Sequence, residues 1–405
     1  MLKIADKVKN ISPSPTLALE AKAKEMIKSG LNVISFGVGE PDFDTPKHIK
    51  ESAIESIKSG FTKYTAASGI DELKEAIIRK LKNDNLLDYD KSQIVISCGA
   101  KHSLYNIFQA IVDPGDEVII PIPYWVTYPE QVKLAGGKPV FIDTDEKDGF
   151  RLKPDKLKSH ITEKTKVFLL NSPSNPTGTV YNEEEIRNLS EILKNYDIFI
   201  ISDEVYEKLI YEGIKHFSIA SLDGFKEKTF VVNAMSKTYA MTGWRLGYAA
   251  GPKDVIKAIS NLQSHATSNP TSFVQKAGVT ALNSSQDEVN RMNIEFDKRR
   301  KYMTERLNKI KNVSCITPQG AFYAFPNISK TGFTSGKFAE RLLSEEKVVV
   351  IPGADFGKEG YIRLSYATSM EKIEEGLNRI EKFVWGLSPN RVPNEVGCCP
   401  QKGCV

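Results

Sequence analysis

The sequence predicts an α/β fold built on a largely parallel sheet, and three features of the chain predict it. Short apolar runs recur, namely QIVIS (93–97), EVIIP (117–121), KVFLL (166–170), DIFII (197–201) and TFVVN (229–233), β-rich and with little polar alternation. Strands of that kind are covered on both faces, as parallel strands are by their connecting helices. Amphipathic segments stand between them, among them DELKEAIIRKLKN (71–83) and NEEEIRNLSEILKNY (182–196). The second opens on Asn182, whose side chain can cap the first free amides of a helix. After about residue 285 the pattern changes to one long charged helix, DEVNRMNIEFDKRRKYMTERLNKI, followed by short strands such as AFYAF and VVVIP and a last helix near 370–385. That shift predicts a second, smaller α/β domain.

The expected organisation is an N-terminal arm (1–45) that joins the small domain, a large domain (46–285), a small C-terminal domain (286–388) and a disordered tail (389–405). A chain of 405 residues with 40% hydrophobic and 26% charged content can bury cores for both. Its 55 basic and 51 acidic residues leave a net charge of only +4, too dilute for a nucleic-acid or polyanion footprint. The opening MLKIADKVKN carries charges where a signal peptide needs an apolar stretch, and no later run approaches the length of a membrane span. The five cysteines form neither a disulfide framework nor a C-x-x-C pair, which suits a reducing, cytoplasmic location. Cys398, Cys399 and Cys404 crowd the tail with no histidine nearby to complete a metal site, and no metal is expected.

In an open parallel sheet, ligands gather at the carboxyl ends of the strands. IVIS runs into CGAKHSLYNIFQAI, where the amides of Gly99, Ala100 and Lys101 begin a helix and could hold a phosphate, although ordinary turn chemistry produces the same pattern. KVFLL ends in the proline-rich loop NSPSNPTG (171–178), which presents Asn175; DIFII ends in SDEVY (202–206), with Asp203, Glu204 and Tyr206. A carboxylate there needs a cation or strong donors to stay ionised, unless it is simply a helix cap. TFVVN leads to Lys237 and, eight residues on, Arg245. A lone lysine in a loop is ordinarily a solvated surface group; beside a buried strand end it can lose its charge, become nucleophilic and form a Schiff base. GVGE (37–40) is no dinucleotide fingerprint, because Pro41 and Asp42 follow.

Taken together, these segments resemble class I aminotransferases, and within them the bacterial and archaeal aspartate aminotransferase branch. SKTYAMTGWRLGY (236–248) resembles the cofactor-lysine motif, NSPSNPTG and SDEVY the two motifs that precede it. The likeness continues through GEPDFDTP (39–46), YTAASGIDELKEAI (64–77), PYWVTYPE (123–130) and YIRLSYATS (361–369). It implies the fold type I architecture of pyridoxal-phosphate-dependent transferases, with a mostly parallel seven-stranded sheet between helices. It also implies a cofactor, pyridoxal 5'-phosphate, held by Lys237 as a Schiff base. By that resemblance Asp203 keeps the ring nitrogen protonated, Tyr206 and Asn175 hydrogen-bond the ring hydroxyl, and Trp125 stacks on the ring. Gly99, Ala100, Lys101 and Arg245 hold the phosphate; Ser236 supplies the hydroxyl that Ala234 lacks.

Arg363 is expected to grip the substrate α-carboxylate, beside the backbone of Gly39, with Trp125 and Asn175 also facing the substrate. Tyr64 resembles the tyrosine that reaches the neighbouring active site, which implies a homodimer. The segment SHATSNPTS (264–272) holds no arginine for a distal carboxylate, leaving Lys101 and the N-terminal segment around Ser14 and Thr16. The resemblance thus implies ping-pong transfer from aspartate to 2-oxoglutarate. Prephenate-accepting relatives carry a lysine where this chain has Ser12. Alternatives are an aromatic-type aminotransferase or a C–S β-lyase on the same fold, or a non-catalytic sensor, which would ordinarily carry an attached DNA-binding domain.

Overall fold

The computed structural model describes residues 3–387 apart from Asn10 and Ser14. Ser14, the side chain of Thr16 and the tail with Cys398, Cys399 and Cys404 lie outside the described residues.

Twelve strands run in chain order: β1 (Ile34–Ser35), β2 (Ile94–Ser97), β3 (Glu117–Ile122), β4 (Lys138–Asp143), β5 (Thr165–Asn171), β6 (Phe199–Asp203), β7 (Thr229–Ala234), β8 (Gly247–Ala250), β9 (Tyr323–Ala324), β10 (Val348–Val349), β11 (Ile351–Pro352) and β12 (Ile362–Ser365). The five predicted apolar runs are β2, β3, β5, β6 and β7. They form a seven-stranded sheet of order β2-β8-β7-β6-β5-β3-β4, parallel except for β8, which runs antiparallel to both neighbours. Successive side chains enter different cores: Val167 and Leu169 of β5 join one cluster, Phe168 and Leu170 another. Both faces are therefore dry, which is why these strands lack polar alternation.

Two strands of this seven-stranded sheet escaped the sequence reading, each for a physical reason. β4 is the sheet edge, so its residues are only partly covered and it shows no clean apolar run. β8 reads GYAA, too small to look like a strand. A Cβ on Gly247 would stand 2.5 Å from the amide nitrogen of Ala100, so a helix start pressed against the strand demands a glycine.

Helix Glu183–Leu193 begins as predicted: Asn182 accepts from the Glu185 amide while the Glu185 side chain accepts from the Asn182 amide. The late segment supplies helix Asp287–Lys309, a three-stranded sheet of order β11-β12-β9 and the closing helix Met370–Gly386. β1 pairs in parallel with β10, tying the N-terminal segment to the late one. Among the described residues no helix is long and apolar enough to cross a membrane.

Candidate active site

A cavity of about 330 Å³ opens at the carboxyl ends of β5, β6 and β7 and is closed by residues of the late segment. Lys237, Asp203, Asn175, Tyr206, Arg245 and Arg363 all line it, although they are spread over almost 190 positions of chain. Gly39, Ala100, Lys101, Trp125 and Ser236 line it too. Tyr64 does not; it is 87% exposed on the outside of the chain.

One end of the cavity is a helix start. Gly99 caps helix Ala100–Ile111 with φ 88°, and a Cβ on it would lie 2.4 Å from Arg245 Nη2, so conformation and space both require glycine. The sequence reading counted its amide as a phosphate donor. In the structure that N–H is committed to the Ser97 carbonyl at 2.8 Å, because it closes the turn. The amides of Ala100 and Lys101 stand in the first turn, where a helix has no internal acceptors, and its dipole favours an anion. Arg245 is fixed across the same turn by donating to the carbonyls of Thr242 at 2.7 Å and Cys98 at 3.3 Å. Lys101 reaches over the Trp125 ring, 4.9 Å from its centre, and partial burial and Arg245 pull its ammonium below the ordinary lysine range.

The floor holds Asp203, 4% exposed at the end of β6. Its Oδ2 accepts from the Tyr128 phenol at 2.7 Å and its Oδ1 from the Val205 amide at 3.3 Å. Among the described residues no cation lies within ion-pair distance of it, and burial pushes its pKa up to about 6 despite the Tyr128 bond. Lys237 follows β7 in the short helix Met235–Thr238 and donates to the Gly39 carbonyl. Burial lowers its pKa to about 8; Glu40 opposes this, while Arg363, Arg245 and Lys101 add to it. The lysine thus gives up its proton far more readily than a solvated lysine.

The third wall comes from β12. Arg363 is 2% exposed and donates to Asn175 Oδ1 at 3.0 Å and to the Gly37 carbonyl at 2.8 Å. Among the described residues its buried Nε has no hydrogen-bond partner. Gly39, expected beside the substrate carboxylate, accepts from Lys237 at its carbonyl, and the Gly37 carbonyl is a backbone partner of the arginine. Asn171 shapes the loop by accepting from the Asn175 amide at 3.0 Å and donating to the Asp203 carbonyl at 3.0 Å. The Ser12 amide donates to Glu130 Oε2 at 3.1 Å, docking the N-terminal segment on the helix that follows Trp125.

With this geometry in place, the likeness to known proteins becomes specific. Residues 32–380 match the family described as aminotransferase class I and II. The chain belongs to that family. It is 50% identical over 389 residues to the aspartate aminotransferase of Bacillus subtilis, covering 95% of this chain and 99% of that one. It is 48% identical to a probable aspartate/prephenate aminotransferase of Aquifex aeolicus, with 94% and 98% covered. The solved structure of the Thermus thermophilus aspartate aminotransferase with maleate superimposes with a TM-score of 0.91 at 41% identity, over 94% of this chain and all of that one (100%).

Several residues that build this aminotransferase cavity were not singled out from sequence: Tyr128, Asn171, Gly37 and Tyr323. Tyr128 had a local signal, standing three residues after Trp125 in the first turn of helix Thr127–Leu134 and meeting it edge to face at 5.4 Å. Gly37 and Tyr323 act through partners far along the chain, and Asn171 acts both within its own loop and across to Asp203.

Proposed function

We propose that this chain is a pyridoxal 5'-phosphate-dependent aminotransferase that moves the amino group of L-aspartate to 2-oxoglutarate, giving oxaloacetate and L-glutamate by a ping-pong mechanism. One observation carries the reading. A buried lysine with a lowered pKa, a buried carboxylate and a buried arginine face one cavity, and among the described residues the carboxylate has no counter-ion and the arginine Nε no partner. Each lacks the partner that the cofactor or the substrate brings, and the helix start with Arg245 and Lys101 suits a phosphate. When bound, the cofactor supplies an aldehyde that accepts amino groups and a ring that stabilises the electron pair left by the departing α-proton.

The side chains do the remainder. Lys237 Nζ would hold the cofactor and, as a free amine, would take and return the α-proton of the substrate. Asp203 stays ionised beside a protonated ring nitrogen, and Tyr128 keeps it so. Trp125 covers one ring face; Tyr206 and Asn175 supply hydrogen bonds to the ring hydroxyl; Ser236 adds a hydroxyl near the phosphate. Arg363 takes the α-carboxylate by a bidentate pair, a geometry that lysine cannot reproduce. Lys101 at the rim, with Thr16, is assigned to the distal carboxylate, in keeping with relatives named aspartate aminotransferases and one solved with maleate, a dicarboxylate.

The same reading makes the chain a cytoplasmic homodimer, with the exposed Tyr64 contributed to the neighbouring site. Its large domain spans 46–285, and a small domain combines 1–45 with 286–388. A second reading, prephenate as amino acceptor, draws on the Aquifex relative's name, and Ser12 in place of a lysine weighs against it.

Spectral half-reactions with a panel of amino acids test the proposal. Aspartate and glutamate are expected to convert the bound cofactor to its amino form fastest, and transfer must depend on an added keto acid; turnover without one would instead indicate a β-lyase. Lys237→Ala is expected to abolish the cofactor's lysine-linked absorbance and to cut transfer by on the order of 10⁴-fold or more. Survival of both would overturn the assignment.

A further inference from the structure

Tyr323 opens β9, is 1% exposed and lines the cavity. It pairs in register with Ser365, two residues beyond Arg363. Its phenol oxygen lies 2.9 Å from that of Tyr206, and the Arg363 guanidinium lies 4.5 Å from the centre of its ring. A Cβ on Gly39 would come within 2.8 Å of the same phenol oxygen, so glycine there leaves room for the hydroxyl beside the carbonyl that holds Lys237. One side chain therefore touches both the phenol assigned to the cofactor and the arginine assigned to the substrate.

Two facing phenols share one hydrogen bond, and which of them donates decides where the other proton points. A cation over the face of an aromatic ring withdraws electron density from its hydroxyl and makes it the better donor. Arg363 does this to Tyr323. Its charge acts to lower the pKa of both phenols, but for Tyr206 burial and the contact with Tyr323 outweigh it and push the phenol well above its ordinary value, whereas for Tyr323 Arg363 and the shared bond both oppose burial. Tyr323 is then the donor and Tyr206 the acceptor, which leaves the Tyr206 proton free to face the cavity.

We infer that Tyr323 is a positioning residue that relays the charge on Arg363 to Tyr206, donating its phenol proton to Tyr206 Oη and loosening that bond when a substrate carboxylate neutralises the arginine. This rests on the cofactor reading above. The relay gives the enzyme a way to sense an occupied carboxylate site at the lysine-linked cofactor. Binding of a carboxylate weakens the Tyr206 donor and raises the pH at which the cofactor linkage to Lys237 loses its proton.

The test follows the cofactor's absorbance against pH in the cofactor-loaded enzyme, with and without maleate as an unreactive dicarboxylate. In the parent, maleate is expected to raise the midpoint. Tyr323→Phe keeps the ring under Arg363 and removes only the hydroxyl. It is expected to raise the maleate-free midpoint by about half to one pH unit and to remove at least half of the maleate-induced shift, while maleate affinity changes less than about threefold. Tyr323→Leu, which also removes the ring, is expected to weaken maleate binding about tenfold; should it fail to fold, the phenylalanine variant decides alone. A parent-like titration for Tyr323→Phe, with or without a lowered melting temperature, would overturn the inference. A parent that shows no lysine-linked band at all would overturn the cofactor reading, and the inference with it.

Discussion

Two sets of buried charges stand beside the same two strand ends, β6 and β7, and they differ in whether they are paired. Asp203 and Glu204 are consecutive, so their side chains leave the strand end toward opposite sides. Glu204, fully buried, accepts from Ser202 Oγ at 2.8 Å and Ser218 Oγ at 2.6 Å and lies 2.8 Å from His216 Nε2. Nearby, Glu207 takes Asn85 Nδ2 at 2.8 Å, Asn233 Nδ2 at 2.7 Å and the Lys80 ammonium. Burial alone would raise its pKa, but Lys80, His216 and Asn85 outweigh it and hold Glu207 down to about 2. Glu204, Glu207 and His216 offer ligand atoms within 4.8 Å of one another; with Lys80 paired to Glu207, the set reads as a structural network. On the cavity side the charges lack such partners, and Asp203 rises to about 6 while Lys237 falls to about 8. Charges paired with one another mark structure, and the missing charge partner marks chemistry.

The contrast can be broken at either end. The largest effect is expected from Asp203→Asn, which cannot hold a proton on the ring nitrogen: transfer should fall by about 10²–10⁴-fold. The same change should stabilise the cofactor-free chain. Because the folded pKa of Asp203 lies above its unfolded value, its charge costs stability that accumulates between about pH 4 and pH 6, on the order of 3 kcal/mol at pH 8. Urea unfolding of the cofactor-free variant should show a gain at pH 8 that shrinks toward pH 4; a loss at both would remove the distinction drawn here.

Next in size, Arg363→Lys keeps the charge but not the fork. It should raise KM for the amino acid by about 10²-fold with a smaller change in kcat. Equal losses in kcat would mean that the arginine acts in the reaction step instead of gripping the substrate.

The smallest effect on transfer is expected from Glu207→Gln, which lies outside the cavity but strands Lys80. Stability should drop by about 3 kcal/mol, with the cofactor spectrum unchanged. Its sign with pH is opposite to that of Asp203. Glu207 is depressed on folding, so its contribution is fully present above about pH 4.5 and is lost as pH falls toward 2. The gap between parent and variant should therefore close in acid, and a gap that held constant would show that the carboxylate charge is not what Lys80 needs.

Much of this molecule follows from local pattern. The apolar runs of β2, β3, β5, β6 and β7 needed no tertiary knowledge, because burial on both faces is written into their composition. Nor did the Asn182 cap, or the placement of Asp203 and Lys237 at strand ends. The tertiary structure decided the rest. β8 is a strand through its pairing with β2 and β7, and it opens on a glycine because a helix start stands where a Cβ on Gly247 would lie. Tyr128 meets Asp203 across 75 residues of chain, Arg363 meets Gly37 across 326, and Tyr323 meets Tyr206 across 117. Periodicity records which side of an element is buried; it does not record what lies opposite. Sequence alone could name the lysine and the acid, but their shifted protonation comes from packing that buries one set of charges without oppositely charged partners among the described residues while pairing its neighbours.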